Sequence, residues 1–173
     1  MTRHKVFTSY YHYDDQWYKN KFIELFGHLF IDKSVGDGEI STDVSTEYIK
    51  RLIQDDDYLA DASVAVVLCG PNTKKRKHVD WEIYGALSKK LDGYSGLIGI
   101  LLPEFPLSTA NTYNYGDLPD RLADNVKTGF AKVYTWSSLN SVTVTNIIEE
   151  AFKKRTQSNL IDNSRKQMPY NLN

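Results

Sequence analysis

The sequence has a single cysteine, Cys69, among its 173 residues. One thiol excludes an intrachain disulfide, and we therefore expect a protein of a reducing, intracellular compartment. Long apolar runs are missing as well. No segment approaches the roughly 20 residues that a spanning helix needs, and the amino-terminal segment lacks the apolar core of a signal peptide. These absences predict a cytoplasmic protein with no membrane partner.

An excess of charge of one sign is also absent, because the formal net charge is −1. This balance predicts no binding to nucleic acid and none to an anionic membrane. The exception is the run from Lys74 to Lys77, four consecutive cations. Such a run is usually a solvated surface, although between a strand and a helix it also suits an anionic ligand such as a pyrophosphate.

Several site motifs are missing. The segment "GPNTKKRKH" has no second glycine before its lysines, so it is not a P-loop, and the first predicted strand is followed by no dinucleotide fingerprint. No G-x-S-x-G nucleophile elbow occurs. The four histidines show no metal-ligand spacing, and we therefore predict no metal site.

Predicted strands and helices alternate along the chain. We predict strands at 4–10, 29–35, 63–69, 94–103 and 131–136, and helices at 15–28, 45–57, 77–91 and 141–155. The runs "SVAVVLC" and "YSGLIGILLP" are apolar without alternation, which is typical of strands buried on both faces of a parallel sheet. The pattern predicts an α/β, three-layer fold with a mostly parallel sheet flanked by helices.

Two segments lack a clear pattern. Residues 104–129 are predicted to form a long surface loop, because they show no periodicity. The polar stretch 156–173 is predicted to be a C-terminal tail that packs on the domain or trails it. We therefore expect one domain at 1–155, followed by this tail.

Glu82 is the acidic residue whose position is most informative. The apolar face of its predicted helix consists of Val79, Ile83, Ala86 and Leu87. Glu82 lies about 60 degrees to one side of Val79, on the flank of this face. The helix follows a central strand, and ligands of such sheets bind at the carboxyl ends of the strands. Glu82 is thus either a site residue or a charge favoured by the helix dipole.

Several segments together resemble a known family. "KVFTSYYHYDD" resembles the first strand and loop of Toll/interleukin-1 receptor (TIR) domains, which have a flavodoxin-like, three-layer fold. "FIDKS", "ASVAVVLCGPNT", "HVDWEIYGAL" and "GLIGILLP" are similar to the TIR-like domain of the bacterial Thoeris defence protein ThsB. The resemblance covers about residues 4–103. It departs from the family pattern at His78, where the family has tryptophan.

The resemblance implies an NAD+ nucleosidase or ADP-ribosyl cyclase that cleaves NAD+ at the nicotinamide–ribosyl bond. Its product would be an ADP-ribose-derived signal, cyclic or conjugated, in antiviral defence. NAD+ is then a substrate, and no cofactor is expected. Carried over by position, Glu82 is the catalytic residue. The substrate-binding residues implied are Phe7, Ser9, Tyr10, Asp32, Ser34, Asn72 and Thr73.

The same resemblance implies three kinds of partner: a separate effector protein that senses the product, a phage-derived trigger, and further copies of the chain in self-assembly. Two alternative functions stay open. One is a TIR-like interaction module without catalysis. The other is an enzyme like the nucleoside deoxyribosyltransferases, in which Glu82 would be a covalent nucleophile.

Overall fold

The computed structural model describes residues 2–34, 51, 58–109 and 112–173. Their five strands form one parallel sheet in the order β2-β1-β3-β4-β5. The strands are β1 (Lys5–Ser9), β2 (Ile31–Asp32), β3 (Val64–Cys69), β4 (Gly96–Leu101) and β5 (Lys132–Thr135). The helices that we number are α1 (His12–Phe26), α2 (Lys77–Ala86), α3 (Asp120–Lys127) and α4 (Ser141–Lys154). The predicted α/β fold is confirmed.

Helices cover both faces of the sheet, and each face has its own apolar core. Phe7, Val67 and Leu97 face the layer of α2 and α3, whereas Val66, Ile98 and Ile100 face the layer of α1 and α4. All residues of β3 and β4 are buried, as their continuous apolar runs predict. These two strands therefore form the centre of a three-layer domain.

The contact between β4 and α4 is unusually close. A Cβ atom at Gly96 would lie 2.1 Å from the carbonyl oxygen of Ala151. Only glycine permits this approach of helix backbone to strand backbone. The sequence predicts Val144, Ile147, Ile148, Ala151 and Phe152 on the inward side of this helix. The first four are buried, and Phe152 is partly buried against the same core.

The first helix begins earlier than predicted. The helix is predicted from residue 15, but α1 starts at His12, after an N-cap at Tyr11. Helical spacing predicts an apolar face of Trp17, Tyr18, Phe22, Leu25 and Phe26, which is partly wrong, because Trp17 is 63% and Leu25 43% exposed. The buried side consists instead of Asp15, Lys19, Phe22 and Phe26. Because Asp15 and Lys19 on this side are polar, apolar spacing alone does not show which side of α1 is buried.

Two further elements are shorter than predicted. The second strand was expected at 29–35 but consists of Ile31–Asp32, because a 3₁₀ turn occupies Gly27–Leu29. Helix α2 ends at Ala86 instead of Leu91, which is exposed. The helix predicted at 45–57 falls almost entirely outside the described residues.

The segment 104–129 is not a plain loop, because it contains α3. Pro119 precedes this helix, and its buried side includes Leu122 together with Arg121 and Asn125. Polar residues thus occupy half of the buried positions, so the sequence shows no apolar period. The prediction of an irregular segment was wrong for this reason.

The C-terminal tail contains a 3₁₀ turn at Ser158–Leu160 and then continues along α3 and α2. Asp162 N donates to Asn125 Oδ1 at 2.9 Å, and Met168 N donates to Asp80 Oδ2 at 2.8 Å. Among the helices that the structure describes, none combines the length and apolar character needed to cross a membrane.

Candidate functional site

Glu82 lies in the second turn of α2, beside the carboxyl end of β1. Its side chain is buried, and Ser9 Oγ donates to Glu82 Oε1 at 2.9 Å. Among the described residues, the Ser9 hydroxyl is the one hydrogen-bond partner of the Glu82 carboxyl group, and no cation pairs with this carboxyl group. Burial, only partly offset by Ser9, raises the pKa of Glu82 to about 8. The group is therefore held mostly protonated at neutral pH.

His78 makes a second link between α2 and β1. Its Nε2 lies 2.9 Å from the carbonyl oxygen of Tyr10, which can only accept, so Nε2 carries a proton. Burial lowers the pKa of His78 and keeps the imidazole neutral. His78 and Glu82 thus hold the consecutive residues Tyr10 and Ser9 from one side of the helix.

The role of His78 was missed by the sequence analysis, although a signal existed. Residues four apart lie within about 40 degrees on a helix, so His78 and Glu82 share one side of α2. That side meets the carboxyl end of β1, where His78 also packs edge-on against His12, with ring centroids 5.0 Å apart.

Phe7 of β1 and Tyr10, which follows that strand, have different surroundings from Ser9. Tyr10 is buried, its ring stacks on His12 at 4.2 Å, and its hydroxyl donates to Gln16 Oε1 at 2.8 Å. Phe7 belongs to the apolar core together with Val79. Of these three residues, Ser9 meets Glu82 directly and Tyr10 meets α2 through its carbonyl group.

Asp32 and Ser34 lie next to the end of β1. Thr8 N donates to Ser34 Oγ at 3.1 Å, and Ser34 N donates to Asp32 Oδ1 at 2.8 Å. The two side chains therefore order the turn after β2 one residue away from Ser9. A role in binding substrate remains a prediction for both.

The turn after β3 holds Asn72 and Thr73. Gly70 N donates to the buried Thr73 Oγ1 at 2.8 Å, and Asn72 Nδ2 donates to Asp14 Oδ2 at 2.9 Å. Both side chains thus cap the loop or tie it to α1, and their proposed place near substrate phosphates remains a prediction.

Asp15 is a second buried carboxyl group at this edge, and the sequence analysis missed it. A Cβ atom at Gly70 would lie 2.6 Å from Asp15 Oδ2, so a larger residue there would force the Asp15 carboxyl group to move. Burial, together with the nearby charges of Asp14 and Glu104, raises the pKa of Asp15 to about 6. The sequence places Asp15 at the start of the predicted helix, where an acidic residue is ordinary, so no pattern indicates its burial.

The basic run after β3 is tied to partners within the chain. Lys74 Nζ donates to the carbonyl oxygen of Gly116. The guanidinium of Arg76 lies over the ring of Tyr11, 4.7 Å from its centroid, and Lys77 lies over Trp81. These contacts favour a structural role for the run over an anion site.

Two other features are separate from Glu82. A cleft of about 670 Å³ lies at the opposite edge of the sheet, where its lining includes Lys5, Asp92 and Arg155. We place the candidate site at Glu82, because no carboxyl group that lines the cleft is as poorly compensated as that of Glu82.

Burial raises the pKa of the Cys69 thiol, as expected of a core residue. The residues described include no cluster of three or more metal-binding side chains.

Comparison with known protein families matches residues 7–105 to the model of the TIR-like domain of the Thoeris protein ThsB. This match spans more than half of the 173 residues. The chain belongs to this family. The matched span contains the last three residues of β1, then α1, β2, β3, α2 and β4, and therefore both Ser9 and Glu82.

Two other comparisons accompany the family match. No curated protein matches the chain. Among solved structures, the chain is similar to the TIR domains in the structure of the activated Roq1 resistosome directly recognizing the pathogen effector XopQ. The TM-score is 0.45 at 15% sequence identity, over 92% of this chain and 85% of that chain.

His78 is the position at which the sequence analysis noted a departure from the family pattern. In this ThsB TIR-like domain its Nε2–H holds the Tyr10 carbonyl at the start of α2.

Proposed function

We propose that this ThsB TIR-like domain cleaves NAD+ at the nicotinamide–ribosyl bond, with Glu82 as the catalytic residue. The observation that carries the proposal is the buried Glu82 carboxyl group, compensated by one hydroxyl at the carboxyl end of the sheet. Strongly perturbed carboxyl groups in such positions are candidates for catalysis. Family membership supports a role in TIR-family defence.

The chemistry requires few protein groups. The bond between the ribose C1′ and the nicotinamide nitrogen breaks, and its electron pair goes to nitrogen, so nicotinamide leaves as a neutral molecule without needing an acid. The ribosyl group becomes an oxocarbenium-like cation, which a carboxylate stabilises. Water, a hydroxyl of the same molecule, or another acceptor then adds to C1′ and loses a proton.

The raised pKa of Glu82 fits a cationic substrate. An opposite charge near a carboxyl group favours its ionised form. When NAD+ binds, its positively charged pyridinium would therefore lower the pKa of Glu82 and favour the carboxylate. Ser9 would then donate to a charged acceptor, which makes the stronger bond. Because Glu82 has a pKa of about 8 in the protein without substrate, we expect kcat/KM to rise with pH up to about 8.

Access to Glu82 is a further part of the proposal. The side chain is 2% exposed, so the region around it has to rearrange before a dinucleotide can reach it. This requirement supports a trigger, such as a phage-derived component or self-assembly, as the step that exposes the carboxyl group. A separate effector that senses the released product completes the proposed pathway.

The test is nicotinamide release from NAD+ by the full chain, followed by chromatography, with and without lysate of phage-infected cells. Removing one electrostatic stabiliser typically costs about 100-fold to 1,000-fold in rate, and we expect a loss of that size in Glu82→Gln. Glu24→Gln changes an exposed carboxylate on α1 and serves as the matched control.

Three results would contradict the proposal: no nicotinamide from the wild type under any condition, equal release by Glu82→Gln, or a ribosyl adduct on Glu82 detected by mass spectrometry. The first result favours the interaction module, and the second would show that NAD+ is cleaved without Glu82. The third favours the nucleophilic mechanism of the deoxyribosyltransferase alternative.

A further inference from the structure

Residues 162–172, which we call the strap, run along the outer side of α2. Met168 N donates to Asp80 Oδ2 at 2.8 Å, and Trp81 Nε1 donates to the Met168 carbonyl oxygen at 2.8 Å. Leu172 N donates to the Lys75 carbonyl oxygen at 2.9 Å. The strap lies beyond the span matched by the family model, which ends at residue 105.

The strap also supplies a cap that α2 lacks. The first N–H groups of a helix have no partner within the helix, and the N-cap residue Arg76 provides no side-chain bond to them. Instead Asn171 Oδ1, 94 residues further along the chain, accepts from Lys77 N at 2.8 Å. Asparagine is among the preferred capping residues, because its short side chain carries an acceptor.

The strap and β1 hold opposite sides of the same helix. Lys77 and Asp80 lie about 140 and 160 degrees around α2 from Glu82. Ser9 and the Tyr10 carbonyl hold the side of Glu82 and His78, whereas the strap holds the far side. Helix α2 is therefore fixed between two sets of hydrogen bonds.

The strap has a firm anchor and an accessible end. At the anchor, Asn125 Nδ2 donates to the Asp162 carbonyl oxygen at 2.8 Å, and Arg121 Nη1 donates to Asn163 Oδ1 at 3.0 Å. Asn171 at the other end is exposed. A change at Asn171 thus removes the cap without touching the buried anchor.

We propose that the strap positions Glu82 for catalysis, with Asn171 as a positioning residue that fixes the first turn of α2. This inference rests on the proposed function of Glu82. The strap contributes no group to the reaction. It limits the motion of the helix whose second turn must present Glu82 to Ser9.

The experiment compares Asn171→Ala, Asn171→Asp and the control Asn173→Ala, which lies beyond the strap. Loss of a cap costs about 1 kcal/mol, so amide hydrogens of 77–80 should exchange about fivefold faster in Asn171→Ala. Nicotinamide release should fall severalfold in kcat with KM unchanged. Asn171→Asp keeps an acceptor oxygen and should restore both values, and Asn173→Ala should match the wild type.

A variant truncated after Ser164 should exchange faster still at 77–80, while exchange in β3 stays slow. The proposal is wrong if exchange at 77–80 is unchanged in both Asn171→Ala and the truncated variant. It is also wrong if exchange rises and kcat does not change, because the strap would then be merely structural. Exchange needs no substrate, so an inactive wild type would refute the proposed function and leave the effect on α2 measurable.

Discussion

Two buried carboxyl groups, two residues apart on α2, have opposite surroundings. Asp80 accepts from Arg121 Nε at 2.9 Å, from Arg121 Nη2 at 3.4 Å and from Met168 N. Among the residues that the structure describes, Glu82 accepts one bond, from the Ser9 hydroxyl. A buried charge with a cation and several donors is compensated, whereas one with a single neutral donor is not. The comparison separates a carboxylate that holds the fold together from one that is costly to ionise and thus suited to chemistry.

Breaking the compensated pair should have the largest effect. We expect Arg121→Met to lower the free energy of unfolding by about 3 to 5 kcal/mol, because Asp80 would be left as a buried charge without a cation. Denaturant unfolding followed by circular dichroism measures this loss. The matched control is Arg165→Met, which breaks the more exposed pair with Asp124 and should cost less than about 1 kcal/mol.

A double variant sharpens this result. Adding Asp80→Asn to Arg121→Met removes the buried charge and keeps an oxygen for Met168 N, so most of the lost stability should return. If the double variant is as unstable as the single one, the loss comes from packing or from the bond between Arg121 and Asn163.

Removing the uncompensated group should have a smaller, pH-dependent effect. A raised pKa means that folded Glu82 keeps its proton up to about pH 8, whereas the unfolded chain loses it near pH 4.5. Stability should therefore fall as pH rises through this window, by on the order of 1.4 kcal/mol for each pH unit at most.

Glu82→Gln should remove most of this decline, so the variant should exceed the wild type in stability at pH 8 more than at pH 5. Denaturant unfolding at both values measures the difference. Asp15 should leave a residual decline between about pH 4 and pH 6, because burial raises its pKa in the same direction. An unchanged decline in Glu82→Gln would show that Glu82 ionises freely in the folded protein.

The smallest effect is expected at Ser9. Ser9→Ala removes a bond between neutral groups at pH 7, which is worth about 1 kcal/mol, and should raise the pKa of Glu82 further. The decline of stability would then extend above pH 8. Ser137→Ala, an exposed serine, is the control. A pH profile identical to that of the wild type would contradict the bond between Ser9 and Glu82.

Sequence patterns predicted the central sheet and the place of Glu82, because both depend on local regularities. The unbroken apolar runs of β3 and β4 predict strands buried on both faces, and helical spacing places Glu82 on the flank of the apolar side of α2. These features needed no knowledge of distant residues.

The failures at α1, at α3 and in the tail share a physical feature: polar residues that pack against, or bond to, distant segments of the chain. In α3, Arg121 is buried because Asp80 and Asn163 bind it, so no apolar period marks the helix. In α1, the buried polar residues Asp15 and Lys19 conceal which side of the helix faces the core. The bond from Lys77 N to Asn171 has no local sequence pattern. Such pairings become visible only when the chain is folded.

Strand β2 is only two residues long and pairs with Lys5 and Val6 of β1. A parallel sheet grows by adding strands to its free edges, and very short edge strands are a common protection against such growth. Because β2 presents few backbone groups, docking of another strand along it would gain few hydrogen bonds. If copies of this chain assemble, the surfaces of helices and loops are better suited to form the contacts than the β2 edge of the sheet.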